Sequence, residues 1–223
     1  PGGSTAHGMR WLSQPGDGDW SRVQGSQYAL LSERIFARVL LHIFGLVLVF
    51  SQLHASVSWL ILGGWAALLI AVIVYGAVID RRLADADRRL FTRQEYWGQA
   101  ANQMAKGAVW ASMVAYTALT GNLTGAVIVW GITALLVVTS SASRFSAPLG
   151  AIAFCSAIGL VSVTAFILSG AVVPAALALA TALCGAGAAV ETARISMSAR
   201  VAQTGMDEKS KVAITRLGDR IRA

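Results

Sequence analysis

Along this chain apolar residues gather into six long runs, separated by short polar breaks and two charged stretches. The runs cover about Ile35–Leu53, Ser56–Ile79, Met104–Thr120, Leu123–Ser140, Ala147–Leu168 and Ala171–Val190. Each can cross a hydrocarbon core of about 30 Å, the shorter ones with help from flanking residues. The third is the least apolar, and Lys106 near its start is placed to snorkel to the interface. Inside a bilayer a helix satisfies its own backbone, so the pattern predicts an all-α polytopic bundle of six transmembrane helices. The chain divides into an N-terminal tail (1–33), the membrane bundle (34–190) and a helical linker (191–223).

The breaks have patterns of their own. The tail is rich in Gly, Ser and Gln, with Trp11, Trp20 and Tyr28. In the 80–106 connection Leu83, Leu90, Trp97 and Met104 recur every seven residues, with Ile79 and Ala86 partly filling a second seam and Arg93 interrupting it. That spacing predicts either a helical continuation of span two or an amphipathic helix lying on the inner leaflet. After Val190 the chain turns polar at Glu191 and Arg194. Val212, Ile214, Leu217 and Ile221 then stand among Lys209, Lys211, Arg216 and Arg220. Ile214, Leu217 and Ile221 keep coiled-coil spacing. With Glu191 and Arg194 these residues are the expected signal-transmitting linker and the expected contact of a homodimer. The chain opens on Pro1 and stops in mid-pattern without a helix stop, from which a further cytoplasmic output domain in cis is expected.

Charge orients the bundle. Lys and Arg fall in the tail and the start of span one, in the 80–106 connection, at Arg144 and after Val190. The breaks near His54, Gly121 and Ser169 carry no charge. This is a positive-inside pattern with both termini cytoplasmic. Hydrophobic residues make up 56% of the chain and charged residues 13%, about half the charge of an ordinary soluble domain. The net charge of +7 therefore reads as a basic belt against anionic lipid rather than as a nucleic-acid surface. The lipid bilayer is the expected partner, and nucleic acid is not.

Chemistry-bearing residues are sparse. Apart from Arg38 and Lys106 near span ends, the runs hold no Asp, Glu, Lys or Arg at midplane depth, which speaks against ion-coupled transport. His42 and His54 are the candidates for a cofactor. Both lie on one span about three turns apart, whereas a haem between helices usually takes histidines from two, so packing roles are preferred and no cofactor is expected. Cys155 and Cys184 fall at similar depth on neighbouring spans and are the candidates for a metal or redox pair, against small packing residues. Gly121 and Gly125 form a G-x-x-x-G, and Gly185 and Gly187 stand among the alanines of span six, which favours close helix packing. Phosphate loops, zinc spacings and nucleophile elbows are missing, so no enzyme is expected within these residues.

The stretch Gly205-Met-Asp-Glu-Lys-Ser-Lys-Val-Ala-Ile-Thr-Arg-Leu217 resembles the short helix that joins six-span MASE-type sensors to their cytoplasmic outputs in bacterial signalling proteins. The charged segment Asp80–Arg93, followed by Trp97 and Trp110, is similar in layout to those modules. The resemblance implies an inner-membrane input module whose output is a GGDEF/EAL or histidine-kinase domain, hence cyclic-di-GMP turnover or two-component signalling. It carries over no catalytic residue. A channel or transporter fragment for a neutral or apolar solute is the alternative; Ser112, Tyr116, Thr120, Thr133, Ser156 and Thr164 are the available candidates for a polar stripe, and they do not form a compelling line. A structural anchor that dimerises its output is the third reading.

Overall fold

The computed structural model describes residues 35–84, 93–143 and 148–195, with the side chains of 82–84, 93 and 142–143 left aside. The described residues form six helices and no strand: α1 Ile35–Leu53, α2 Trp59–Ala84, α3 Arg93–Leu119, α4 Leu123–Ser143, α5 Pro148–Leu168 and α6 Val172–Ile195. The helices of this bundle alternate in direction. Three turns lie at one end, here the turn end, and the other end, where α2 and α4 finish and α3 and α5 begin, is here the charged end. The coiled-coil positions Val212, Ile214, Leu217 and Ile221 lie outside the described residues.

Local sequence chemistry sets the turns. Gly121 and Gly170 have positive φ, 84° and 75°, a region open to glycine without a Cβ penalty. At each, a paired hydrogen bond closes the preceding helix. Asn122 N–H reaches Thr117 O at 3.0 Å and Gly121 N–H reaches Ala118 O at 3.3 Å. Ala171 N–H reaches Phe166 O at 2.8 Å and Gly170 N–H reaches Ile167 O at 3.0 Å. Both are Schellman stops. Asn122 then caps α4, its Oδ1 accepting from Gly125 N–H at 2.9 Å. Its Nδ2 also donates to Ser56 Oγ at 3.2 Å, tying two turns together. Gly121 and Gly125 are therefore turn and cap residues, not the expected packing motif. Gly185 does pack, against Val137, Cys155 and Ser141, while Gly187 meets nothing.

Five helices are long and apolar enough to cross a membrane, and α3 is the exception. It is also the helix the others wrap, packing on α2, α4 and α5. Trp110, Ala111, Met113 and Val114 on α3 are fully or almost fully buried. The peripheral helices instead turn large apolar side chains outward, among them Phe36, Leu60, Leu160 and Val172. Such a distribution suits a molecule whose solvent is lipid, because the least apolar helix is shielded by its neighbours. A Cβ on Gly107 would stand 2.7 Å from the backbone oxygen of Phe154, so glycine there lets α3 and α5 approach closely.

The helix boundaries correct several expectations. α1 and the start of α4 fall where the apolar runs place them. α2 begins at Trp59 rather than Ser56 and α3 at Arg93 rather than 104, whereas the continuation of α2 beyond Ile79 to Ala84 and of α6 past Val190 to Ile195 agrees with the helical continuation and the helical linker expected there. The proposed seam on the 80–106 segment does not face the bundle on α3. Trp97 and Met104 are exposed, and the buried face is that of Tyr96, Gln99, Ala100 and Gln103.

Candidate functional site

Polar and ionisable side chains converge on the charged-end half of α1, α2 and α3. The extra turn of α2 carries Asp80 into the bundle, where it is 5% exposed. Arg38 of α1 meets it, Nη2 to Oδ2 at 3.3 Å. Lys106 of α3 is 4% exposed, and its Nζ would stand 3.2 Å from a Cβ on Gly76 of α2. The expected snorkelling of Lys106 is therefore not what occurs. Its side chain turns inward because Gly76 leaves room for it and Asp80 supplies charge nearby. About 20 Å of helix, at 1.5 Å per residue, separates Lys106 from Leu119 at the turn end.

His42 forms the inner wall. The indole Nε1–H of Trp110, fully buried on α3, donates to His42 Nδ1 at 3.1 Å. An indole N–H can only donate, so Nδ1 accepts and the ring proton sits on Nε2. Phe154 of α5 meets the imidazole edge-on, with ring centroids 6.3 Å apart. Trp65 of α2 backs Trp110 edge-on at 5.5 Å and donates its own Nε1–H to Val109 O at 2.7 Å. Arg38, His42, Asp80 and Lys106 line one small cavity of about 10 Å³, the room of a single water.

The site continues along α3 toward the charged end. Gln99, Asn102, Gln103 and Lys106, at i, i+3, i+4 and i+7, share one helix face and are all buried. The Asn102 amide lies over Gly76, and the Gln99 amide lies against Gly150 of α5, where a Cβ would collide with it. Neither polar atom of the Gln99 side chain has a protein partner, nor does Gln103 Nε2. Ser162 Oγ, farther along α5, is also unpaired, and nothing in the structure explains it.

Other candidates disperse. His54 lies at the turn end, exposed, with Nδ1 2.8 Å from Ser51 O, about three helical turns from His42. Cys155 is buried, 3.6 Å from Ser141 Oγ, whereas Cys184 is exposed. One step along α6 separates Cys184 from Gly185, which faces Cys155. A step of about 100° turns the second thiol away, so the two cysteines do not form a pair. Among the described residues no group of three or more His, Cys, Asp or Glu could hold a metal. Glu191 and Arg194 lie on α6, 3.8 Å apart and well exposed, where an ion pair adds little. Ser112, Thr120, Ser156 and Thr164 are exposed while Thr133 is buried and bonded to Val129 O, so these candidates form no continuous polar stripe.

Sequence reading by spans missed Asp80, because charge after an apolar run looks like the start of a solvated loop. The signal that could have found the site was the spacing of Gln99, Asn102, Gln103 and Lys106 in the weakest span. No protein-family model matches the chain, and no curated protein or solved structure matches it.

Proposed function

We propose that this chain is the membrane-embedded input module of a bacterial signal-transduction protein, seated in the inner membrane with both termini cytoplasmic. The observation that carries the reading is α6. It runs without a break from the turn at Gly170 through Glu191 and Arg194 to Ile195, and the amphipathic 212–221 pattern stands further along the sequence, outside the described residues. A rigid helix leaving the bundle can pass a tilt or rotation to whatever follows it. The charge-free turns and the basic charged-end connections support the orientation.

Within this reading the cluster is the element with two possible arrangements, and α5 joins it to α6. Phe154 touches His42, and its chain neighbour Cys155 faces Gly185 on α6. A stimulus that changes the Arg38–Asp80 pairing would shift how α5 and α6 pack, a population shift between two bundle states. The output is a cyclic-di-GMP or histidine-kinase domain, and a coiled-coil homodimer presents it. Transport is the second reading, favoured by the buried ionisable groups, which in membranes commonly mark ion pathways.

A reporter whose activity requires dimerisation, fused after Ala223, tests the reading. One to four alanines are inserted after Ile195. Reporter output should rise and fall with insertion length on a helical period of about 3.6 residues. Output that ignores insertion length would overturn it.

A further inference from the structure

We propose that the α3 face bearing Gln99, Asn102, Gln103 and Lys106 lines a one-ended aqueous cleft. It would bring water and protons from the charged end of the bundle to the Arg38–His42–Asp80 group. Three observations carry this. First, Gln99 and Gln103 are each 1% exposed, yet both polar atoms of Gln99 and Nε2 of Gln103 lack protein partners. A dry, unpaired buried amide costs roughly 1–3 kcal/mol, and buried polar groups in folded proteins are satisfied by ordered water where no side chain serves.

Second, these amides are not isolated. They lead along one helix face, starting one turn inside the buried Tyr96 near the charged end, to Lys106 and the cavity of about 10 Å³ it shares with Arg38, His42 and Asp80. That cavity is polar and offers a water several partners, the condition under which a small void is wet rather than empty. Third, the path stops. One turn beyond Lys106 the same face of α3 carries Trp110, fully buried and backed by Trp65. Its only polar atom is committed to His42 Nδ1. Beyond it α3 buries Met113 and Val114, so water entering from the charged end ends at His42.

The consequence is a protonatable site with access from one side. The titratable groups at its end are His42 from α1 and Asp80 from α2, with the cations Arg38 from α1 and Lys106 from α3 beside them. α5 contributes only Phe154 at the His42 ring. Because Trp110 occupies Nδ1, a second proton on His42 breaks the indole bond. One-sided water access bears on the stimulus class whether or not α6 drives an output.

Thiol accessibility in sealed membrane vesicles tests this, using the full chain with Cys184→Ser and a cysteine at position 103 (Gln103→Cys). A small cationic methanethiosulfonate is added to one face or the other. Met113→Cys on the same helix, 1% exposed, is the dry control, and Leu60→Cys marks the turn end. The expected result is Gln103→Cys labelling more than about tenfold faster than Met113→Cys, from the charged-end face alone. Labelling as slow as Met113→Cys, or from the Leu60→Cys face, overturns the proposal. Gln103→Leu decides if the cysteine variant does not fold. Loss of melting temperature supports a hydrated amide, because its bridging water loses a partner, and a gain shows that the amide was dry.

Discussion

Replacing Asp80 by Asn removes one charge and keeps the volume of the side chain. In the native bundle the Asp80 carboxylate faces Arg38 at 3.3 Å, with the two side chains 6% and 13% exposed, and Lys106 is buried nearby. Breaking a buried pair by removing one partner costs about 3–5 kcal/mol, chiefly because the remaining charge is stranded. The 3.3 Å separation is longer than a strong charge-assisted hydrogen bond, which runs to about 2.9 Å, so the lower end applies. A loss of about 3 kcal/mol lowers the folded-to-unfolded ratio by roughly a hundredfold. Reversible unfolding in mixed micelles, followed by tryptophan emission, reads this directly. The control is the apolar double variant Arg38→Met with Asp80→Leu. Substituting both partners of a buried pair is often neutral, so the double should be less destabilised than Asp80→Asn alone. Stability of Asp80→Asn within about 0.5 kcal/mol of the parent, the range of an ordinary surface change, would refute the reasoning, and the pair would then be solvated.

Trp110→Phe should lower stability by about 1–3 kcal/mol beyond its packing loss, because His42 Nδ1 is left buried without a donor. Thermal melts in the parent and in a His42→Leu background check this, with the cost expected to shrink in the second. Gly107→Ala should separate α3 from α5 and cost about 1–3 kcal/mol, since the new methyl meets the backbone oxygen of Phe154 at 2.7 Å. Melting temperature in detergent reads it, and an unchanged value would show that the two helices can yield there.

Much of the helical frame is legible from hydrophobic pattern alone, and particular residues show where the pattern stops informing. Ile35–Leu53 is readable because an uninterrupted apolar run ends at a tight turn. Gly121 and Gly170 announce their turns because few other residues take positive φ without strain. Asp80 is not legible, because what lets a carboxylate continue a buried helix is Arg38, 42 residues away. The early start of α3 is hidden for a related reason. Its first turns are polar, and only the covering by α2, α4 and α5 makes a buried face of Gln99 and Gln103 tolerable. Trp97 and Met104 show the opposite error, since a seven-residue repeat says that residues share a face but not which way the face points. The site was thus present in the sequence as a spacing, and its meaning depended on contacts that only the fold supplies.

The central claim is that the charged cluster and α6 are coupled, and a distance measures it. Nitroxides on the exposed Cys184 of α6 and on Leu60→Cys at the turn end of α2 report how α6 sits on the bundle, with Cys155 buried and unlabelled. Pulsed dipolar spectroscopy in lipid bilayers compares the parent with Asp80→Asn. The account predicts a displaced or second distance population once the Arg38–Asp80 pairing is broken. A distance distribution unchanged by Asp80→Asn in a folded protein would contradict it.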